Sequence, residues 1–231
     1  MLNRLTLSGR LEDDPMIRRS GKTDYGYFHV AQECTWIDAK GQRRSRLSSF
    51  RAVCFGSVAR TLHRLRRGDR VTLTGWLQSR RKPRLDRSLP PLEIVFSEYE
   101  HRHLAPVKDL DATLPTLGTV STNSVTVVGE VVRPAIRTKL DDREAPHLLI
   151  ENKVRWRDRR RGWRERSTWL RVVGFDRIAH ELEFVRKGHV IAVSGRLQAR
   201  TVGGGQEPWK TLHELVAGEV DYLSFGGRQA A

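Results

Sequence analysis

The chain has 231 residues, with 42 Lys+Arg against 27 Asp+Glu, a formal net charge of +15 and a pI near 10.8. Such a charge is the electrostatic footprint of a protein that binds polyanions. No run of about 18 apolar residues exists, which excludes a membrane-spanning helix.

Cys34 and Cys54 lie in apolar, strand-like runs outside any C-x-x-C pattern. They read as buried free thiols of a reducing compartment. The N-terminal M-L-N-R-L-T-L-S-G-R enters a strand pattern at once and lacks the apolar core of a secretory signal. A cytoplasmic, nucleoid-associated location is therefore expected.

Taken in order, Arg4–Arg10 alternates around Leu5 and Leu7 and reads as a first strand. Glu12–Asp24 is polar, holds Pro15 and Ser20-Gly21, and reads as a loop. Tyr25–Trp36 is a second strand, with Phe28 and Val30 in a β-rich run. A turn at Asp38–Gly41 leads through Arg43, Arg44 and Arg46 to a third strand, Phe50–Phe55. Val58, Leu62 and Leu65 fall at i, i+4 and i+7, the spacing of one helix face. Arg70–Leu77 is a fourth strand, and a basic loop with Arg80, Arg81, Lys82 and Arg84 leads to a fifth, Leu92–Tyr99.

Adding 120 to these numbers finds the same order again. Phe55, Gly68, Gly75 and Leu77-Gln78 answer Phe175, Gly188, Gly195 and Leu197-Gln198. Asn3, Gly9 and Trp36 answer Asn123, Gly129 and Trp156. The second helix carries Ile178, Leu182 and Val185, and Gly188 is placed to end it. The chain is thus a duplicated unit: residues 1–101, a linker 102–122, residues 123–225 and a short tail 226–231. Three strands, a helix and two more strands fit an all-β protein with short helices. The expected architecture is two tandem OB-folds, five-stranded Greek-key barrels.

The most telling piece is R-W-R-D-R-R-R-G-W-R-E-R, from Arg155 to Arg166. Arg155, Arg157, Arg159, Arg160, Arg161 and Arg164 surround Trp156 and Trp163 at the tip of the second repeat's β-hairpin. Single strands are held by a cationic groove for phosphates and aromatic faces for bases, and both are present here. Guanidinium groups also stack on bases.

The ordered set resembles the bacterial single-stranded DNA-binding protein family, in the two-barrel layout of its Deinococcus and Thermus members. The resemblance rests on Trp156, the run Trp169-Leu170-Arg171-Val172-Val173-Gly174-Phe175, Arg186-Lys187-Gly188 and Val193-Ser194-Gly195-Arg196-Leu197. The first repeat follows with Trp36, Phe55, Leu65-Arg66-Arg67-Gly68 and Leu73-Thr74-Gly75-Trp76-Leu77. The resemblance implies base stacking on Trp156, Trp169, Phe175, Trp36 and Phe55, with Arg171 nearby, no catalysis, and a homodimer that assembles four OB-folds. Three departures stand out. Ser49 replaces the counterpart of Trp169, with Phe50 beside it as a partial substitute; Lys82 and Val202 stand where the family often has a further aromatic; and the family's acidic C-terminal tail has no counterpart.

Two other readings compete. One is a primosomal or mobile-element accessory protein on the same fold, binding DNA or RNA. The other is a metal-dependent nuclease using Asp13-Asp14 and Asp141-Asp142. The paired aspartates serve more simply as turn and charge-balancing residues, so neither metal nor cofactor is expected.

Overall fold

The computed structural model describes every residue except 38–40, 81–90, 103–121, 141–142, 158–161, 205–206 and 225–231. The elements are β1 (Asn3–Leu11), β2 (Met16–Ser20), β3 (Thr23–Ile37), β4 (Arg43–Phe55), α1 (Ser57–Thr61) with a 3-10 turn at Leu62–Arg64, β5 (Arg70–Ser79) and β6 (Leu92–Arg102). The second repeat supplies β7 (Asn123–Leu140), β8 (Arg143–Arg157), β9 (Trp163–Val173), α2 (Asp176–Phe184), β10 (Val190–Gly204) and β11 (Glu207–Ser224). The chain packs as two compact units. One holds Thr6–Gly75 and Ile94–Asn123; the other holds Met1–Leu5, Trp76–Glu93 and Ser124–Ala231.

In the first unit β3 and β4 pair antiparallel from Tyr25↔Phe55 to Ile37↔Arg43. β3 returns to β1 through Arg10↔Ala31, and β4 runs parallel to β6 through Ala52↔Ile94. Phe28, Val30, Phe50, Ala52, Leu73 and Phe96 fill the interior. Phe28 and Phe96 meet with ring centroids 5.5 Å apart. Burial of such side chains is the main force holding the barrel, at about 1.5–3 kcal/mol each.

The second unit closes in the same way. β7 pairs β8, β8 pairs β9, β9 runs parallel to β11, β11 pairs β10, and β10 returns to β7. Closure leaves no free edge in this ring. Leu148, Ile150, Leu170, Val172, Ile191 and Val193 lie inside. The register slips between Ser194 and Gly195, a bulge inside β10. A side chain at Gly195 would meet the Val216 carbonyl oxygen at 2.0 Å, and one at Gly75 would meet that of Val95 at 2.0 Å. Both positions need glycine because another strand's backbone passes there.

Three expectations are corrected. Glu12–Asp24 is not all loop, since Met16–Ser20 forms β2 and pairs with β3 across a turn at Gly21. The first helix is a single α turn finished in 3-10 geometry, with Leu62 and Leu65 buried as the spacing required. α2 stops at Phe184, and Gly188, at φ 89°, belongs to the following turn. Ile178, Leu182 and Val185 are all buried.

Each unit also contains residues from both repeats. In the first, the Ser8 amide donates to the Thr122 carbonyl at 2.7 Å, and Asn123 Nδ2 donates to Gln32 Oε1 at 2.9 Å. In the second, the Val128 amide donates to the Leu2 carbonyl at 2.9 Å, and Asn3 Nδ2 donates to Asn152 Oδ1 at 3.2 Å. Each pair of bonds is one bond written twice at the offset of 120. Asn152, fully buried, also donates to the carbonyls of Leu2 and Val128.

Candidate nucleic-acid interface

Alternation along the strands divides the candidate residues between two faces. Side chains on a strand alternate, so a one-residue shift exchanges core for surface. In β4, Ser48, Phe50, Ala52 and Cys54 point inward, while Ser49, Arg51 and Phe55 point outward. Phe50 is 2% exposed and part of the core. No base reaches its ring, which corrects its expected role as a substitute for a tryptophan. Phe55 is 49% exposed on the outer face. Ser49 instead donates its hydroxyl to the Glu12 carboxylate. Burial pushes the Cys54 thiol up to about 12, as expected of an inert interior cysteine.

In the second repeat Leu170 and Val172 are inward, Trp169 and Arg171 lie on the opposite face of the strand, and Val173 is fully buried. Trp169 is partly exposed, and its backbone amide is fixed by the Ser79 hydroxyl at 3.0 Å. Phe175 packs on Val173 and Ala145 with part of its ring open. Asp176 and Gly56, again 120 apart, take φ values of 52° and 63° and turn the chain after Phe175 and Phe55. Both residue types tolerate this left-handed region.

The β8–β9 hairpin holds the most exposed aromatic of the site among the described residues. Trp163 is 67% exposed, with Arg155 Cζ 5.7 Å from its ring centroid. Arg155 also pairs with Glu165 at 3.4 Å. Arg157 and Arg164 are exposed. Trp156 pairs with Arg164 in the ladder; its side chain, like Arg159, Arg160 and Arg161, lies outside the described residues. In the first repeat's hairpin Trp36 is partly exposed, with Arg46 Cζ 5.7 Å from its ring centroid, and Arg43 and Arg44 are exposed. Arg80 lies 3.7 Å from Glu93. Arg81, Lys82 and Arg84 lie outside the described residues, as do Asp141 and Asp142.

Arg171 does not stand in solvent. Its side chain is 14% exposed, and Nε lies 3.0 Å from Oε1 of the fully buried Glu214. Arg200 Nε holds the other carboxylate oxygen at 2.9 Å, and Gln198 Nε2 donates to it at 3.1 Å. His147, beside this cluster, is driven down to about 4 by burial and by Arg171, Arg200 and Arg133. It is neutral near pH 7, and its Nδ1 lies 2.9 Å from Thr138 Oγ1. The expected phosphate contact from Arg171 is thus replaced by an internal ion-pair network. No spacing rule links Arg171 to a carboxylate 43 positions later, so sequence reading missed it.

Sequence reading also missed Tyr25, Tyr27 and Arg51 on the outer face of the first unit. The signal was present: the tyrosines occupy the phase of β3 opposite to Phe28 and Val30. The loop aspartates are engaged locally. Asp13 accepts from the His29 amide at 2.7 Å, and Asp14 from the Arg67 amide at 2.7 Å. Among the described residues, no group of three or more His, Cys, Asp or Glu is placed to hold a metal ion. Among them, too, no helix is long and apolar enough to cross a membrane.

Closed five-stranded barrels with aromatics and arginines on an outer face and a neighbouring hairpin define the class: an OB-fold protein. The family model for the single-strand binding protein family matches residues 2–98 and 122–223. The chain belongs to the single-strand binding protein family. Wild-type single-stranded DNA-binding protein from Thermus aquaticus superposes with a TM-score of 0.70 at 18% identity, covering 100% of this chain and 97% of that one. A deletion mutant of the Thermus aquaticus protein gives 0.71 at 17% identity, covering 99% and 98%. A single-stranded DNA-binding protein of Neisseria meningitidis is 26% identical over 111 residues, 47% of this chain. This match spans 63% of the curated relative's length.

Proposed function

We propose that the chain binds single-stranded DNA without strong sequence preference and protects it during replication, recombination or repair. The observation that carries this reading is the β8–β9 hairpin, where a largely exposed Trp163 and its covering Arg155 stand among exposed arginines. Bases stack on the aromatic and guanidinium planes, and arginines neutralise phosphates. Stacking and phosphate neutralisation are tolerant of base identity, so sequence preference is weak. The match to the family and the names of its relatives support the same reading, as does the charge of +15.

Titration with poly-dT at several salt concentrations tests it. Affinity should fall with a log–log slope of about −0.7 per phosphate neutralised. An affinity that hardly moves with salt refutes the electrostatic half, and poly-rU competing as well as poly-dT shifts the ligand to RNA.

We further propose that the repeats form domains at 1–101 and 123–225, and that two chains associate to give four barrels. Light scattering should give about twice the 26.5 kDa chain mass. A monomer both with and without DNA refutes the association.

A further inference from the structure

A second aromatic surface lies on the outer side of the first unit. Tyr25 and Tyr27 are successive outward residues of β3, and β4 sets Phe55 opposite Tyr25. Their rings are nearly parallel, 17° apart in plane, with centroids 6.2 Å apart. Arg51 extends the column, its Cζ 4.5 Å from the Tyr27 centroid. β2 borders the patch, with Met16 beside Tyr27 and Arg18 beside Tyr25. Both tyrosines are partly exposed, and neither hydroxyl bonds to another described residue. Two phenols in such a place are not required by the core.

The second repeat does not share this surface. The counterparts of Tyr25 and Tyr27 at the offset of 120 are Ala145 and His147, both buried. The first repeat in turn lacks the tryptophan, since Ser49 is bonded to the Glu12 carboxylate. A carboxylate there repels phosphate. Six residues further along β4, about 20 Å in an extended strand, Phe55 and the tyrosines offer uncharged π faces beside Arg51 and Arg18.

We propose that Tyr25 and Tyr27, beside Phe55 and with Arg51 as the cation, form a base-stacking site particular to the first repeat, its ligand being the unpaired bases of a single strand. This rests on the reading that the chain binds single strands. The site replaces the stack lost at Ser49 and moves the contact point along the same face.

The test uses the full chain and a long dT oligonucleotide carrying 5-bromodeoxyuridine. Irradiation should give adducts at Tyr25 or Tyr27, mapped by mass spectrometry, as well as at Trp163 or Trp169. Tyr25→Leu with Tyr27→Leu should weaken binding by roughly fivefold or more, while Tyr25→Phe with Tyr27→Phe should bind as the parent does. Adducts confined to the second repeat overturn the site, and this readout needs no variant to fold. Parent-like binding by the leucine variant, or equal loss in the phenylalanine variant, overturns it too. A parent chain that fails to bind dT at low salt refutes the wider reading as well; a binding parent with an unaffected leucine variant refutes only this site.

Discussion

Alanine at Trp163 and Trp169 together should weaken poly-dT binding by roughly 30-fold or more. One base–aromatic stack is worth about 1–3 kcal/mol by alanine substitution. The two sites share a hairpin, so their losses should fall short of additive. Trp163 is 67% exposed and contributes little to the core. The Trp169 backbone stays held by Ser79 whatever its side chain. Circular dichroism should therefore show a folded variant. Trp36→Ala should cost less, about fivefold, because the outward position matching Trp169 in its repeat is Ser49. Phe50→Ala is a contrasting control. It should cost about 3–5 kcal/mol of stability, as a large core ring does. A larger binding loss from Trp36→Ala than from the double variant would place the dominant site in the first repeat.

Removing Glu214 should be as damaging to stability as emptying a core ring position. Its carboxylate is fully buried and holds Arg171 at 3.0 Å and Arg200 at 2.9 Å, each 14% exposed. Arg171 Nη2 has no hydrogen-bond partner among the described residues, so the network has little to spare. Glu214→Ala leaves two cations partly desolvated and uncompensated, at about 3–5 kcal/mol. For a chain of this size the melting temperature should fall by roughly 6–20 °C. Arg171→Gln should be milder, because Arg200 still faces the carboxylate. It should also leave the salt slope of DNA binding unchanged, unlike Arg157→Gln at an exposed position. A slope reduced by Arg171→Gln would return that arginine to the phosphate contacts, and a melting point unmoved by Glu214→Ala would show that the network carries no stability.

The fold was legible where side-chain phase and element order repeat each other. Leu170 and Val172 alternate, Ile178, Leu182 and Val185 follow the helical spacing, and the offset of 120 confirms each element against its twin. β2 was hidden because polar residues with Pro15 and Ser20-Gly21 read as loop, although its ladder with β3 needs only backbone groups. The site was less legible for two physical reasons. Ser49 and Phe50 differ by one position, and only the register of β4 decides which one faces a ligand. Arg171 looks like a surface cation until β11 carries Glu214 alongside it in parallel register. Tyr25 and Tyr27 were in plain view, but their outward phase gains meaning only when Phe55 and Arg51 are paired across from them.

The doubled hydrogen bonds, Ser8 to Thr122 and Val128 to Leu2, join the same two repeat positions twice, once in each unit. Here both halves belong to one polypeptide. In a true homodimer every substitution arrives twice, once on each side of the axis, and a change that helps one side and harms the other is lost. Covalent fusion removes that coupling. Glu12 can face Ser49 while its twin is Val132, Asp13 can hold His29 while its twin is Arg133, and the tryptophan can survive in one copy only. A duplicated scaffold in one chain can thus divide labour between its halves while the doubled bonds stay the same.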